Sequence, residues 1–142
     1  MKSPQIVIDT NVFVSSLRSQ YGASYKLFMF LGTGKYEANI SVPLALEYEE
    51  TAKRLVGEIA LTVSEIDDIL DYIYSVAKCR KIFYLWRPFL KDPEDDMLLE
   101  LAVSAECDII VTYNKNDFQG ADKFGIRILT AREFLQEIGE LS

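Results

Sequence analysis

Gln5-Ile6-Val7-Ile8-Asp9-Thr10-Asn11 runs from a short β-branched apolar strand straight into a carboxylate and two polar neighbours. The apolar part reads as a buried strand. A carboxylate at the end of such a strand is costly to desolvate unless a cation, a hydrogen-bond donor or a proton compensates it. Asp9 is therefore the first candidate for a functional residue. Its plainer role is a helix N-cap or a turn.

The same pattern continues outward. Val12–Leu17 leads into a helix, and Ala23–Leu31 is apolar at helical spacing until Gly32-Thr33-Gly34 ends it. Tyr36–Val42 reads as a second strand, and Pro43 opens a helix reaching about Leu55. Thr62-Val63-Ser64-Glu65 has the form of a capping box, so a helix should run from Val63 to about Lys78. Ile82–Trp86 is a weaker strand candidate. Asp92-Pro93-Glu94-Asp95 starts a further helix, with Leu98, Leu99, Ala102 and Val103 as its apolar stripe. Asp108–Thr112 and Ile126–Leu129 read as two more strands, and Thr130-Ala131-Arg132-Glu133 caps a final helix. Strands alternating with helices predict the α/β class: a single-domain α/β/α sandwich with a mostly parallel central sheet, spanning residues 1–142.

Composition narrows the function. Hydrophobic content of 49% with 26% charged residues is that of a globular chain, not a disordered one. No apolar run reaches the length of a membrane span, and Met1-Lys2-Ser3-Pro4 has no signal-peptide character, so a cytoplasmic location is expected. Cys79 and Cys107 lie far apart in no metal spacing and read as reduced, packed thiols. A net charge of −7 argues against passive binding to nucleic acid, which uses a basic surface. It leaves room for an enzyme whose negative charge is gathered in one cation-binding pocket.

In parallel sheets, ligands collect beyond the carboxyl ends of the strands. Asp9 follows the first strand, with Asn11 behind it. Ser41 ends the second strand, and Glu47 lies just over one turn into the next helix. Asp92, Asp95 and Asp96 occupy the first turn of the helix before the third strand, and Thr112, Asn114 and Asp117 follow that strand. Each acid has a bland reading as a cap or a solvated face. Their convergence on one edge is the stronger signal. Asp96, one residue before Met97-Leu98-Leu99, can turn inward as a ligand, with Asp92 or Asp95 in support. Asp117 would bind a second cation or orient a water, and Asn114 could hold Asp117 or a phosphate oxygen. The chain has no His, so any metal would be held by oxygen ligands or by the two Cys, and the acidic pocket offers oxygen donors. Such a set suits Mg²⁺ or Mn²⁺ and phosphodiester chemistry.

Four stretches together resemble a PIN domain. They are Asp9-Thr10-Asn11-Val12, Glu47 within Ser41–Tyr48, Asp96 within Asp92–Ala102, and Thr112–Phe118. More narrowly, they resemble the VapC-like toxin components of prokaryotic toxin–antitoxin systems. The likeness covers nearly the whole chain. It implies a Mg²⁺- or Mn²⁺-dependent ribonuclease with Asp9, Glu47, Asp96 and Asp117 as both catalytic and metal-binding residues. Asn11, Ser41, Asp92, Thr112 and Asn114 would support them. Many PIN domains have an Asp where Asn114 stands, which leaves open whether Asn114 or Asp117 faces the metal and whether one or two cations bind. The resemblance also implies an RNA substrate, a homodimer and a small antitoxin protein as partners.

Two rival readings follow from the same residues. One is an aspartate-based phosphoryl-transfer protein with Asp9 as nucleophile. Phosphatases of that kind carry a second Asp two positions on, where this chain has Asn11. Receiver-like domains need a Lys near the last strands, and Lys115 follows the third predicted strand. The other is a catalytically inactive PIN-fold binding module. Retention of all four acids argues against that decay. Tyr21, Tyr25, Phe28 and Trp86 are expected in the core rather than stacked on bases.

Overall fold

Gln5–Ile8 forms the first strand, β1, in the computed structural model, which describes residues 3–81, 90 and 92–142. Ile6, Val7 and Ile8 are all buried. A continuous apolar run of this kind belongs to a strand covered on both faces. The chain continues through α1 (Thr10–Arg18), α2 (Ala23–Met29), β2 (Glu37–Ser41), α3 (Val42–Arg54) and α4 (Val63–Val76). It then forms β3 (Lys78–Arg80), α5 (Pro93–Ser104), β4 (Ile109–Val111), β5 (Arg127–Leu129) and α6 (Ala131–Glu137). The expected α/β sandwich is present.

The five strands are parallel and ordered β3-β2-β1-β4-β5. The chain steps outward from β1 to β3, then returns to the far side of β1. The order therefore reverses between β1 and β4, where Ile8 lies opposite Val111. Right-handed crossovers put α5 on the opposite face from α1–α4, because its connection runs in the reverse direction. Accordingly α1 packs on α2 and α3, α3 packs on α4, and α5 lies against β1, β2 and β4.

Local signals fix several element ends. Thr62 and Thr130 each accept from the amide three residues on, both at 3.1 Å, and Glu65 and Glu133 return the bond to the cap amides. A cap of this kind contributes about 1 kcal/mol. Ser41 caps α3 by accepting from the Leu44 amide at 3.3 Å. Pro43 follows one position inside that helix.

Three expectations are corrected. The helix beginning at Val63 stops at Val76, and Lys78–Arg80 is an edge strand paired with Asn39–Ser41. Short, charged edge strands resist further pairing and carry no apolar alternation to betray them. The strand after Asp108 is thus the fourth. Tyr21 is 90% exposed, because it occupies the turn between α1 and α2 and has no buried helix face. Tyr25 is also exposed, on the side of α2 opposite Ser24 and Leu27. Cys79, on β3, is exposed, whereas Cys107 is packed as expected and burial pushes its thiol up to about 12. Ile82–Trp86 lies outside the described residues. Among the described residues, no helix is long and apolar enough to cross a membrane.

Candidate active site

Asp9 leaves β1 at the point where the strand order reverses. Its amide donates to Val111 O at 2.9 Å, extending the ladder to β4 by one residue. Asp9 then takes the N-cap position of α1, yet its side chain makes no cap hydrogen bond. The Thr10 and Asn11 amides steady this carboxylate without a full capping bond. The residue is only 7% exposed.

The carboxylate faces Thr112, at the end of β4. Thr112 Oγ1 donates to Asp9 Oδ2 at 2.7 Å. Asn11 Nδ2 lies 3.4 Å from the same oxygen and donates to Thr112 Oγ1 at 3.3 Å. The Asn114 amide also donates to Thr112 Oγ1, at 3.1 Å. A hydroxyl has one proton to give and two acceptor positions. Both acceptor positions are taken, so the Thr112 proton is committed to Asp9. Asn11 Oδ1 accepts from the Tyr113 amide at 3.3 Å, which sets the orientation of its own amide. Thr112 is completely buried, and its amide is tied to Leu129 O on β5 at 2.9 Å.

Burial raises the Asp9 pKa above the ordinary carboxyl value, and the charge of Asp117 adds to that rise. The Thr112 hydroxyl and the nearby Thr10 and Asn11 amides pull it back without cancelling it. The site thus stores a carboxylate whose charge is only partly answered by neutral donors.

Of the remaining predicted residues, Asp117 reaches Asp9 electrostatically, and Glu47 and Asp9 both act on Tyr48. Glu47 is half-buried in the second turn of α3. Its neighbour Tyr48 is buried, stacks on Phe13 with ring centroids 4.6 Å apart, and donates its hydroxyl to Ile8 O. Burial raises the Tyr48 phenol well above its usual value, and the charges of Asp9 and Glu47 contribute in turn. Both acids are therefore within electrostatic reach of one ring. Asp96 is 9% exposed on α5, and its Oδ1 accepts from the Leu90 amide at 2.7 Å. The backbone carbonyl of Asp92 accepts from the Asp95 and Asp96 amides, each at 3.1 Å, and so shapes that first turn. Asp117 is exposed in a single 3₁₀ turn, Lys115–Phe118, anchored by buried Phe118. Its amide donates to Asn114 O at 3.0 Å. Ser41 is buried, with its hydroxyl used as the α3 cap.

Among the described residues, no three Asp, Glu or Cys side chains gather into a ready-made metal cage. The donor chemistry nonetheless fits a hard divalent cation. Mg²⁺ keeps several of its waters and is bound through one or two carboxylates plus substrate phosphates, so a desolvated Asp9 with further acids nearby suits it. Tyr48 was missed in the sequence reading. Its signal was the i, i+4 stripe Leu44, Tyr48, Ala52, all buried on α3.

A family model described as a PIN domain matches residues 5–116. The chain belongs to the PIN domain family. PIN domains are in general divalent-metal-dependent nucleases. The match includes Asp9, Glu47 and Asp96 and stops one residue before Asp117. No curated protein matches this PIN domain in sequence. Among solved structures, it resembles a chain in the crystal structure of VapBC2 from Rickettsia felis bound to a DNA fragment from their promoter. The TM-score is 0.59 at 12% identity, over 89% of this chain and 98% of that one. At that identity the likeness concerns the fold. The strand order also separates this PIN domain from receiver-like proteins, whose doubly wound order is 2-1-3-4-5.

Proposed function

We propose that this PIN domain, spanning residues 1–142, is a Mg²⁺- or Mn²⁺-dependent endoribonuclease. It acts in the cytoplasm as the toxin of a toxin–antitoxin pair. The observation that carries the reading is the desolvated Asp9 carboxylate, pinned by Thr112 and Asn11 at the reversal between β1 and β4. Such reversals are where open α/β sheets bind ligands.

Asp9 and Asp96 would hold the principal cation, with Glu47 and Asp117 completing the site. When bound, that cation supplies an activated water and offsets negative charge on the phosphate. Thr112 and Asn11 keep the Asp9 carboxylate in one orientation before substrate arrives, so no reorganisation is needed at the moment of reaction. The Leu90 amide does the same for Asp96. The chain has no His, so protons leave through a carboxylate or water. The likeness to a VapBC2 chain supports a small antitoxin protein as partner. RNA as substrate and a homodimer rest on the family resemblance.

The test is cleavage of a mixed set of fluorescent single-stranded RNAs with Mg²⁺ or Mn²⁺, with EDTA, and with Asp96→Asn beside the parent. Metal-dependent cutting lost in the variant is the expected result. Equal cutting by both proteins, or none by either, defeats the proposal.

A further inference from the structure

Glu100 stands out as the carboxylate that the site described above does not use. It lies on α5 between Leu99 and Leu101, both completely buried, and is itself only 7% exposed. Its Oε1 is buried and, among the described residues, has no hydrogen-bond partner. A buried carboxylate oxygen without a partner is strongly unfavourable unless a cation or proton meets it.

Its position says which group is near. Glu100 follows Asp96 by four residues, so the two share one face of α5, a single turn apart. Long side chains on a helix lean back over the preceding turn. The Glu100 carboxylate is thereby directed toward the turn that begins at Asp96. Asp96 is buried as well and receives a neutral amide, that of Leu90. Two buried like charges at this spacing repel each other, and low surrounding polarity strengthens the repulsion. A second orphan lies beside Asp9: the hydroxyl of Thr10, 5% exposed, also has no partner among the described residues.

We infer that Glu100 is a cation-facing carboxylate, which extends the divalent-metal site one turn down α5 from Asp96. The inference rests on the metal-dependent reading of the Asp9 corner. Glu100 would add its negative charge to the acids that hold the cation. Its Oε1 would then gain the partner that the described residues do not provide.

The experiment is calorimetric titration of the full chain with Mn²⁺, alongside thermal melting without metal. Parent, Glu100→Gln, Glu100→Asp and Asp9→Asn are compared. Glu100→Gln should bind Mn²⁺ on the order of tenfold more weakly, a loss typical of tuning groups around a metal. Its metal-free melting temperature should equal or exceed that of the parent, because the like-charge contact is relieved. Glu100→Asp, which withdraws the carboxylate by one methylene, should be intermediate. If Glu100→Gln does not fold, Glu100→Asp carries the test, and unchanged affinity there overturns the inference. Unchanged Mn²⁺ affinity in Glu100→Gln, with binding lost in Asp9→Asn, overturns the role of Glu100 and leaves the nuclease reading standing. No Mn²⁺ binding by the parent overturns both.

Discussion

The two edges of the sheet use acidic residues in opposite ways. At the amino edge, a cavity of about 930 Å³ is lined by Glu37, Lys78, Asp108, Arg127 and Glu137, among others. One acid there meets a base: Arg127 holds Glu137 through both Nη atoms, with Nη1 2.7 Å from Oε1. That pairing keeps the Glu137 carboxyl below its usual range. At the carboxyl edge, Asp9 is buried and meets neutral donors, Thr112 and Asn11. Burial drives Asp9 the other way, upward. A salt bridge spends a carboxylate on the fold. A neutral donor orients it and leaves its charge available for a cation. The contrast marks the functional edge more sharply than a count of acids does.

The largest effect expected at the carboxyl edge is on catalysis. Asp9→Asn should lower metal-dependent RNA cleavage by roughly a thousandfold, since a catalytic cation supplies several kcal/mol of stabilisation. Single-turnover rates on a fluorescent RNA measure it, and full activity in the variant would sink the assignment. Next comes Thr112→Val, which removes the donor committed to Asp9. Its cost should be about 1–3 kcal/mol in urea unfolding, the usual penalty for an orphaned buried acceptor. Thr112→Ser should recover most of it, and equal losses in the two variants would point to packing instead.

Proton linkage separates the edges with the sign reversed. The folded protein holds the Asp9 proton more tightly than the unfolded chain does. Its contribution is therefore full below the ordinary Asp value and is lost as the pH rises through the folded value. Glu137 behaves conversely: its contribution is present above the unfolded Glu value and is lost as the pH falls through the lowered folded one. Metal-free Asp9→Asn should accordingly gain stability relative to the parent as the pH is raised from 3 to 7. Melts across that range test the slope, and a difference that shrinks with pH would contradict it. The smallest effect is that of Glu137→Gln, an exposed pair worth under about 1 kcal/mol after solvent screening, with RNA cleavage unchanged.

Much of the carboxyl edge was legible because its signals are local. Asp9 ends an apolar run, and the two capping boxes are readable as Thr and Glu three residues apart. What escaped depends on partners distant in sequence. Lys78-Cys79-Arg80 is a strand only because β2 lies beside it. Thr112 was placed among the supporting residues, but its commitment to Asp9 follows from two N–H groups that no pattern announces. Glu100 interrupts Leu98-Leu99 and Leu101-Ala102, so its burial was in principle readable as one charge inside an apolar run.

The hydrogen bond between Thr112 and Asp9 joins residues 103 positions apart. Synthesis proceeds from the amino end, and domains fold as their sequence becomes available. The acid that ends β1 therefore emerges first and waits for most of the chain before the hydroxyl that orients it exists. A nascent or prematurely terminated chain carries Asp9 without its partner. The Asp9 corner comes into being only after residue 112 has been made.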